Sequence, residues 1–228
     1  MSIVKSGISF IIYGESGVGK TPFVAELATH PESSPCLFID VDGGLLETRG
    51  DTDVVRVNDW STFVRTVKSL QKYKSVVIDS GTELEYVLRG TFTDNVPELQ
   101  DYYKVQERMK RMYRFLTRSG LLVVVTAGVR AVNDELSGAT KLYPMFQPTL
   151  VKDLIRMTDV VAYVQRTKEG TRKMHVKSGL HIIARDRSGV LEELDISGPK
   201  LSWRPIFDAL TARGIRPSDN ISREGGEK

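Results

Sequence analysis

Short, continuous apolar runs alternate along this chain with stretches whose apolar residues recur every three or four positions. Ile8 to Tyr13, Cys36 to Ile39, Ser75 to Ile78 and Leu121 to Val125 are too short for helices and lack polar alternation, which predicts strands buried on both faces. Helical spacing predicts helices over 22–29, from the caps Asp59 or Ser61 to about Lys72, over 83–89, 97–118 and 150–157, and from Trp203 to Ala212 behind Ser202. Strands alternating with helices predict an α/β fold with a mainly parallel central sheet covered by helices on both faces. Val160 to Arg166 and Lys173 to Val176, joined by Thr167-Lys168-Glu169-Gly170, read as a hairpin, so antiparallel edge strands are expected near the C-terminus. Val54 to Val57 and Leu180 to Ala184 read as further short strands, and the polar stretch 131–148, with Gly138, Pro144 and Pro148, as a long loop of the functional or disordered kind. No linker divides the chain: residues 1–214 read as one domain and 215–228 as a polar, flexible tail.

Composition narrows the class. Of 228 residues, 40% are apolar and 27% charged, as in soluble globular proteins. The lone cysteine, Cys36, lies in an apolar strand and reads as core, which excludes an intramolecular disulfide framework. Three histidines and one cysteine argue against a structural zinc site. No leader or membrane-spanning run is visible, so a cytoplasmic protein with no membrane partner is expected. The net charge of +3 permits nucleic-acid binding without requiring it.

One stretch carries specific chemistry. Gly14-Glu15-Ser16-Gly17-Val18-Gly19-Lys20-Thr21 is G-x-x-x-x-G-K-T between a strand and a helix, the context this phosphate-binding motif requires. Its glycines let successive backbone N–H groups face phosphate oxygens. Lys20 is expected to neutralise the β- and γ-phosphates and the Thr21 hydroxyl to ligate Mg²⁺, so ATP and Mg²⁺ are the expected cofactors. Two other strands end in acids: Ser75 to Ile78 in Asp79, and Cys36 to Ile39 in Asp40-Val41-Asp42. Ligands of open α/β sheets bind at such strand tips. Asp79 has the apolar-strand-then-Asp form of an acid that supports Mg²⁺. Asp42 and Asp40, with Glu47 and Glu15 as weaker candidates, could orient or deprotonate water.

Three segments make the chain resemble RecA-type P-loop ATPases: the phosphate loop, Cys36 to Gly43 (CLFIDVDG) and Val76 to Leu84 (VVIDSGTEL). In overall layout it is similar to compact bacteriophage RecA-like proteins, some of which are single-strand annealing (Sak-type) recombinases. The resemblance implies that Asp79 supports Mg²⁺ and that Asp42 stands where those ATPases carry a water-activating glutamate. It leaves Thr126 or Arg130 at the tip of the fourth strand, where the family usually places a polar sensor. Ile182 to Gly189 (IIARDRSG) is similar to a basic segment of hexameric helicases, which implies that Arg185 and Arg187 reach the nucleotide of a neighbouring subunit in a ring or filament.

Single-stranded DNA is the expected partner, with a single-strand-binding protein as a further one. The loops near 90–103 and 130–148 and the basic 104–118 segment supply the candidate contacts Arg130, Lys141, Tyr143, Phe146, Arg108 and Arg111. A RecA-like ATPase in recombination, annealing or replication is the leading reading. A helicase-like ring motor, a nucleotide-switched binding module and a small-molecule kinase are the alternatives.

Overall fold

The computed structural model describes residues 7–45, 47, 50–92, 98–133 and 138–218. The apolar runs form the middle of one twisted sheet. Strand β1 (Ser9–Gly14) lies between β5 (Leu122–Ala127) and β8 (Val160–Arg166); β4 (Ser75–Asp79), β2 (Cys36–Asp40) and β3 (Thr52–Arg56) follow beyond β5. These six strands run parallel. Strands β9 (Arg172–His175), β10 (Arg185–Asp186) and β11 (Leu194–Asp195) close the β8 side in antiparallel register.

Helices cover both faces because every parallel strand but the edge strand β3 is apolar on both. On one face α2 (Trp60–Val67), α3 (Gly81–Gly90), α4 (Leu99–Thr117) and α5 (Pro148–Met157) pack Phe63, Leu84, Met109, Tyr113 and Leu150 against Ile11, Ile39, Ile78 and Val123. On the other face α1 (Lys20–Ala25) and α6 (Arg204–Ala212) pack Phe23, Phe207 and Leu210 against Phe10, Phe38 and Val124. Trp203 is fully buried there, stacked on Phe23 with centroids 4.9 Å apart, and its indole N–H donates to the Phe23 carbonyl at 2.8 Å. Cys36 is a core residue whose thiol is pushed up to about 11 by burial.

Three expectations need correction. Much of the predicted loop 131–148 belongs to a separate antiparallel hairpin, β6 (Val129–Asn133) with β7 (Thr140–Pro144), whose exposed residues hide the strand pattern. Leu180 to Ala184 is not a strand; only Ile182 makes a bridge, to Leu142. The first helix begins at Lys20 and tightens into a 3₁₀ turn over Glu26–Thr29. Of the expected tail 215–228, residues 219–228 lie outside the described residues; in 215–218, Ile215 packs on the core, the Ile8 N–H donates to the Pro217 carbonyl at 3.2 Å, and the Ser218 hydroxyl donates to the Glu32 carbonyl at 3.1 Å. Among the described residues no helix is long and apolar enough to cross a membrane.

Candidate nucleotide site

The parallel strands all end on one rim of the sheet, and the candidate residues gather there. Gly14 ends β1 against Val164 of β8, and a Cβ on Gly14 would meet the Val164 carbonyl oxygen at 2.3 Å, so only glycine fits. Glu15, Ser16 and Gly17 are exposed, while Val18 turns inward and anchors the loop in the core. Gly19 takes φ +98°, a left-handed conformation that favours glycine. The Lys20 ammonium donates to the carbonyls of Gly14 and Glu15 at 2.9 and 2.8 Å, folding over the loop. Burial lowers the Lys20 pKa, and Asp79, Asp42 and Glu15 oppose that shift.

Asp79 is the centre of the rim. It is 2% exposed at the end of β4, and its two carboxylate oxygens are divided between two hydroxyls. Thr21, in the first turn of α1, donates to one at 2.6 Å. Thr126, near the end of β5 and between the other two strands, donates to the second. Burial raises the Asp79 pKa; the two hydroxyls pull it back, Asp42 raises it further and Lys20 lowers it. The peptide between Asp79 and Ser80 is cis. The Ser80 hydroxyl donates to Asp42 at 2.9 Å and also accepts the N–H of Glu83, capping α3. Asp42 is exposed, and its backbone N–H donates to the Asp79 carbonyl at 3.2 Å, which fixes the turn after β2 beside β4. Asp40 is different: it is buried, and its nearest basic group is Arg56 at 3.5 Å on the sheet edge. The rim therefore brings together Lys20, Thr21, Asp79 and Asp42, with Ser80 and Thr126 as supports; Asp40 turns to the edge strand.

These residues fit a nucleotide with Mg²⁺. The cradle admits only glycine at Gly14, the lysine lies over the loop, and Thr21 with Asp79 supplies a hydroxyl and a carboxylate. Among the described residues no cluster of three or more His, Cys, Asp or Glu could hold a metal alone.

The two C-terminal arginines lie elsewhere. Arg185 pairs with Val161 at the start of β8, whereas Gly14 pairs with Val164, so they are separated by about three residues of strand, roughly 10 Å. The Arg185 guanidinium donates to the Ile155 carbonyl at 3.4 Å. Arg187 donates to the Arg156 carbonyl at 2.8 Å and to Asp159 at 3.1 Å. Both thus serve the C-terminal end of α5, where carbonyls lack intrahelical partners.

The candidate nucleic-acid residues divide. Arg130 on β6 and Arg108 and Arg111 on α4 are exposed. Tyr143 and Lys141 on β7 are half-buried. Phe146 is 4% exposed and packs on Gly81, so it is core and cannot stack on a base. Two arginine–aromatic groups escaped the sequence reading: Arg89 lies over the rings of Tyr86 and Tyr102 at 5.0 and 5.4 Å, and Arg108 lies over Phe92 at 4.5 Å. Arg89, Arg130, Tyr86 and Met145 line one cavity of about 230 Å³ beside α3. Residues 93–97 and 134–137 of the two candidate loops lie outside the described residues.

One further residue reaches the rim without a motif to announce it. Arg172, at the start of β9, lays its side chain against the phosphate loop: a Cβ on Gly19 would stand 3.1 Å from its Cζ and 3.2 Å from its Cδ and Nε. Sequence spacing carries no signal for this contact, because the hairpin between β8 and β9 delivers it.

The family model described as an AAA domain matches residues 6–188, from before β1 to just beyond β10. No curated protein matches the chain.

Proposed function

We propose, for a chain that belongs to the AAA domain family, a Mg²⁺-dependent ATPase that works on single-stranded DNA. Membership supports a nucleotide-binding P-loop ATPase domain. The observation that carries the ATPase reading further is Asp79, buried at a strand tip between Thr21 and Thr126 with Asp42 beside it. Lys20 is taken to leave its two carbonyl partners and neutralise phosphate charge. When bound, Mg²⁺ would be held through Thr21 and Asp79 and would offset the charge of the phosphate oxygens. Asp42, an exposed carboxylate steadied by Ser80 beside Asp79, is taken to orient a water and accept its proton.

Support for a single-stranded partner comes from exposed Arg108 of α4, laid over the Phe92 ring, with Tyr103 66% exposed on the same helix. Such surfaces combine base stacking with phosphate neutralisation. Action in recombination, annealing or replication, as a ring or filament of identical subunits and in a bacteriophage setting, rests on the RecA-like resemblance.

ATP hydrolysis measured with and without single-stranded oligonucleotides, beside an annealing assay, tests this. Wild type should hydrolyse ATP faster with the oligonucleotide, and Lys20→Ala should lose at least a hundredfold in ATP affinity. ATP affinity unchanged in Lys20→Ala would remove the nucleotide reading. ATP turnover indifferent to DNA would remove the DNA reading alone, and ATP-driven strand separation would favour a motor over an annealing protein.

A further inference from the structure

Arg172 is placed more exactly than a surface arginine needs to be. Its backbone N–H donates to the Ser197 hydroxyl at 2.6 Å, and its carbonyl accepts the Ile196 N–H at 2.8 Å. It stands opposite Arg166 in the β8–β9 ladder. Side chains alternate along a strand, and Met174, two residues on, is fully buried in the α1-side core. Arg172 therefore leaves β9 on the face that carries the phosphate loop, and its guanidinium lies against Gly19.

What surrounds it is as informative as where it lies. Its neighbour Lys173 is paired with Glu193 at 2.7 Å, whereas no carboxylate among the described residues pairs with Arg172. The loop it covers already carries Lys20. An anion in that loop would attract both cations. A guanidinium suits that task, because its planar fork can meet two phosphate oxygens together.

We infer that Arg172 is a phosphate-contacting residue of the nucleotide site, supplied by the chain's own β8–β9 hairpin. This rests on the nucleotide-binding reading above and adds to it a residue outside the G-x-x-x-x-G-K-T motif. The hairpin acts as a second wall of the cradle. Lys20 serves the site from within the loop, and Arg172 swings from Gly19 onto the bound phosphates. Ser197 is its positioning residue, since it fixes the Arg172 backbone.

Titration of the full chain with a fluorescent ATP analogue, with pyrophosphate and adenosine as separate competitors, tests the inference. Arg172→Ala should weaken ATP and pyrophosphate alike by tenfold or more, leave adenosine competition unchanged and flatten the salt dependence of ATP binding. Arg172→Lys, which keeps the charge but loses the fork, should fall between Arg172→Ala and wild type, and it carries the test if the alanine variant does not fold. ATP affinity equal to wild type in both variants overturns the inference. So does weakened ATP with unchanged pyrophosphate, which would put the guanidinium on the nucleoside. A wild type that binds neither ATP nor pyrophosphate overturns the nucleotide reading itself, a result distinct from failure at Arg172 alone.

Discussion

Two buried aspartates stand at opposite rims of the sheet, and they are held in different ways. Asp159, 4% exposed, precedes β8. One of its oxygens accepts the Ser9 N–H at 3.0 Å and the Ser9 hydroxyl at 2.8 Å; the other accepts the Arg187 guanidinium at 3.1 Å. Asp79, 2% exposed, ends β4, and among the described residues its carboxylate accepts the hydroxyls of Thr21 and Thr126. A buried carboxylate with a permanent cation ties elements together. One held by neutral hydroxyls keeps its charge available, and the raised pKa of Asp79 records the cost of keeping it there. The first arrangement is that of scaffold, and the second fits the proposed site.

The largest effect that could break this contrast is on turnover. Asp79→Asn should cut ATP hydrolysis by about a hundredfold, in the range for removing one group that stabilises transition-state charge. The same change should leave the empty protein as stable at neutral pH or more so, by about 1 kcal/mol. The sign follows from the raised pKa: the fold favours protonated Asp79, so its contribution is full at low pH and is lost as pH rises through the folded value. A clear loss of stability in urea would make Asp79 a structural residue like Asp159. Next in size, Asp159→Ala should cost about 3 kcal/mol of stability, because it removes the side-chain acceptor of buried Ser9 and one of the two acceptors of Arg187, while ATP affinity stays within twofold. Smallest is Arg187→Ala, worth about 1 kcal/mol, since its side chain is 45% exposed and water screens the pair. If Arg187→Ala instead abolished turnover at unchanged stability, the expected arginine finger towards a neighbouring subunit would stand, and the scaffold rim would be a catalytic one.

The parallel strands and the phosphate loop were legible because their signals are local. Ile8 to Tyr13 before Gly14, and Val76 to Ile78 before Asp79, need no distant partner to be read. Asp42 could be separated from Asp40 only in three dimensions: both follow one apolar run, but β2 ends at buried Asp40, beside Arg56 of the edge strand, and the turn beyond brings Asp42 beside Ser80. Phe146 looked like a stacking residue because it sits among Lys141, Tyr143 and Pro144, yet Gly81 leaves room for its ring in the core. Arg172 was invisible, since its meaning comes from a strand pairing that brings it to Gly19.

Lys20 also bears on how the site fills. Its ammonium already has two acceptors, the carbonyls of Gly14 and Glu15, so nucleotide arrival is a substitution reaction and not a simple addition. The enthalpy released should be smaller than the new contacts suggest, because two charge-assisted hydrogen bonds are exchanged. Departure benefits in the same measure. As a product leaves, the lysine regains its former acceptors in place of being stranded, which lowers the barrier to emptying the site and suits a protein that must cycle.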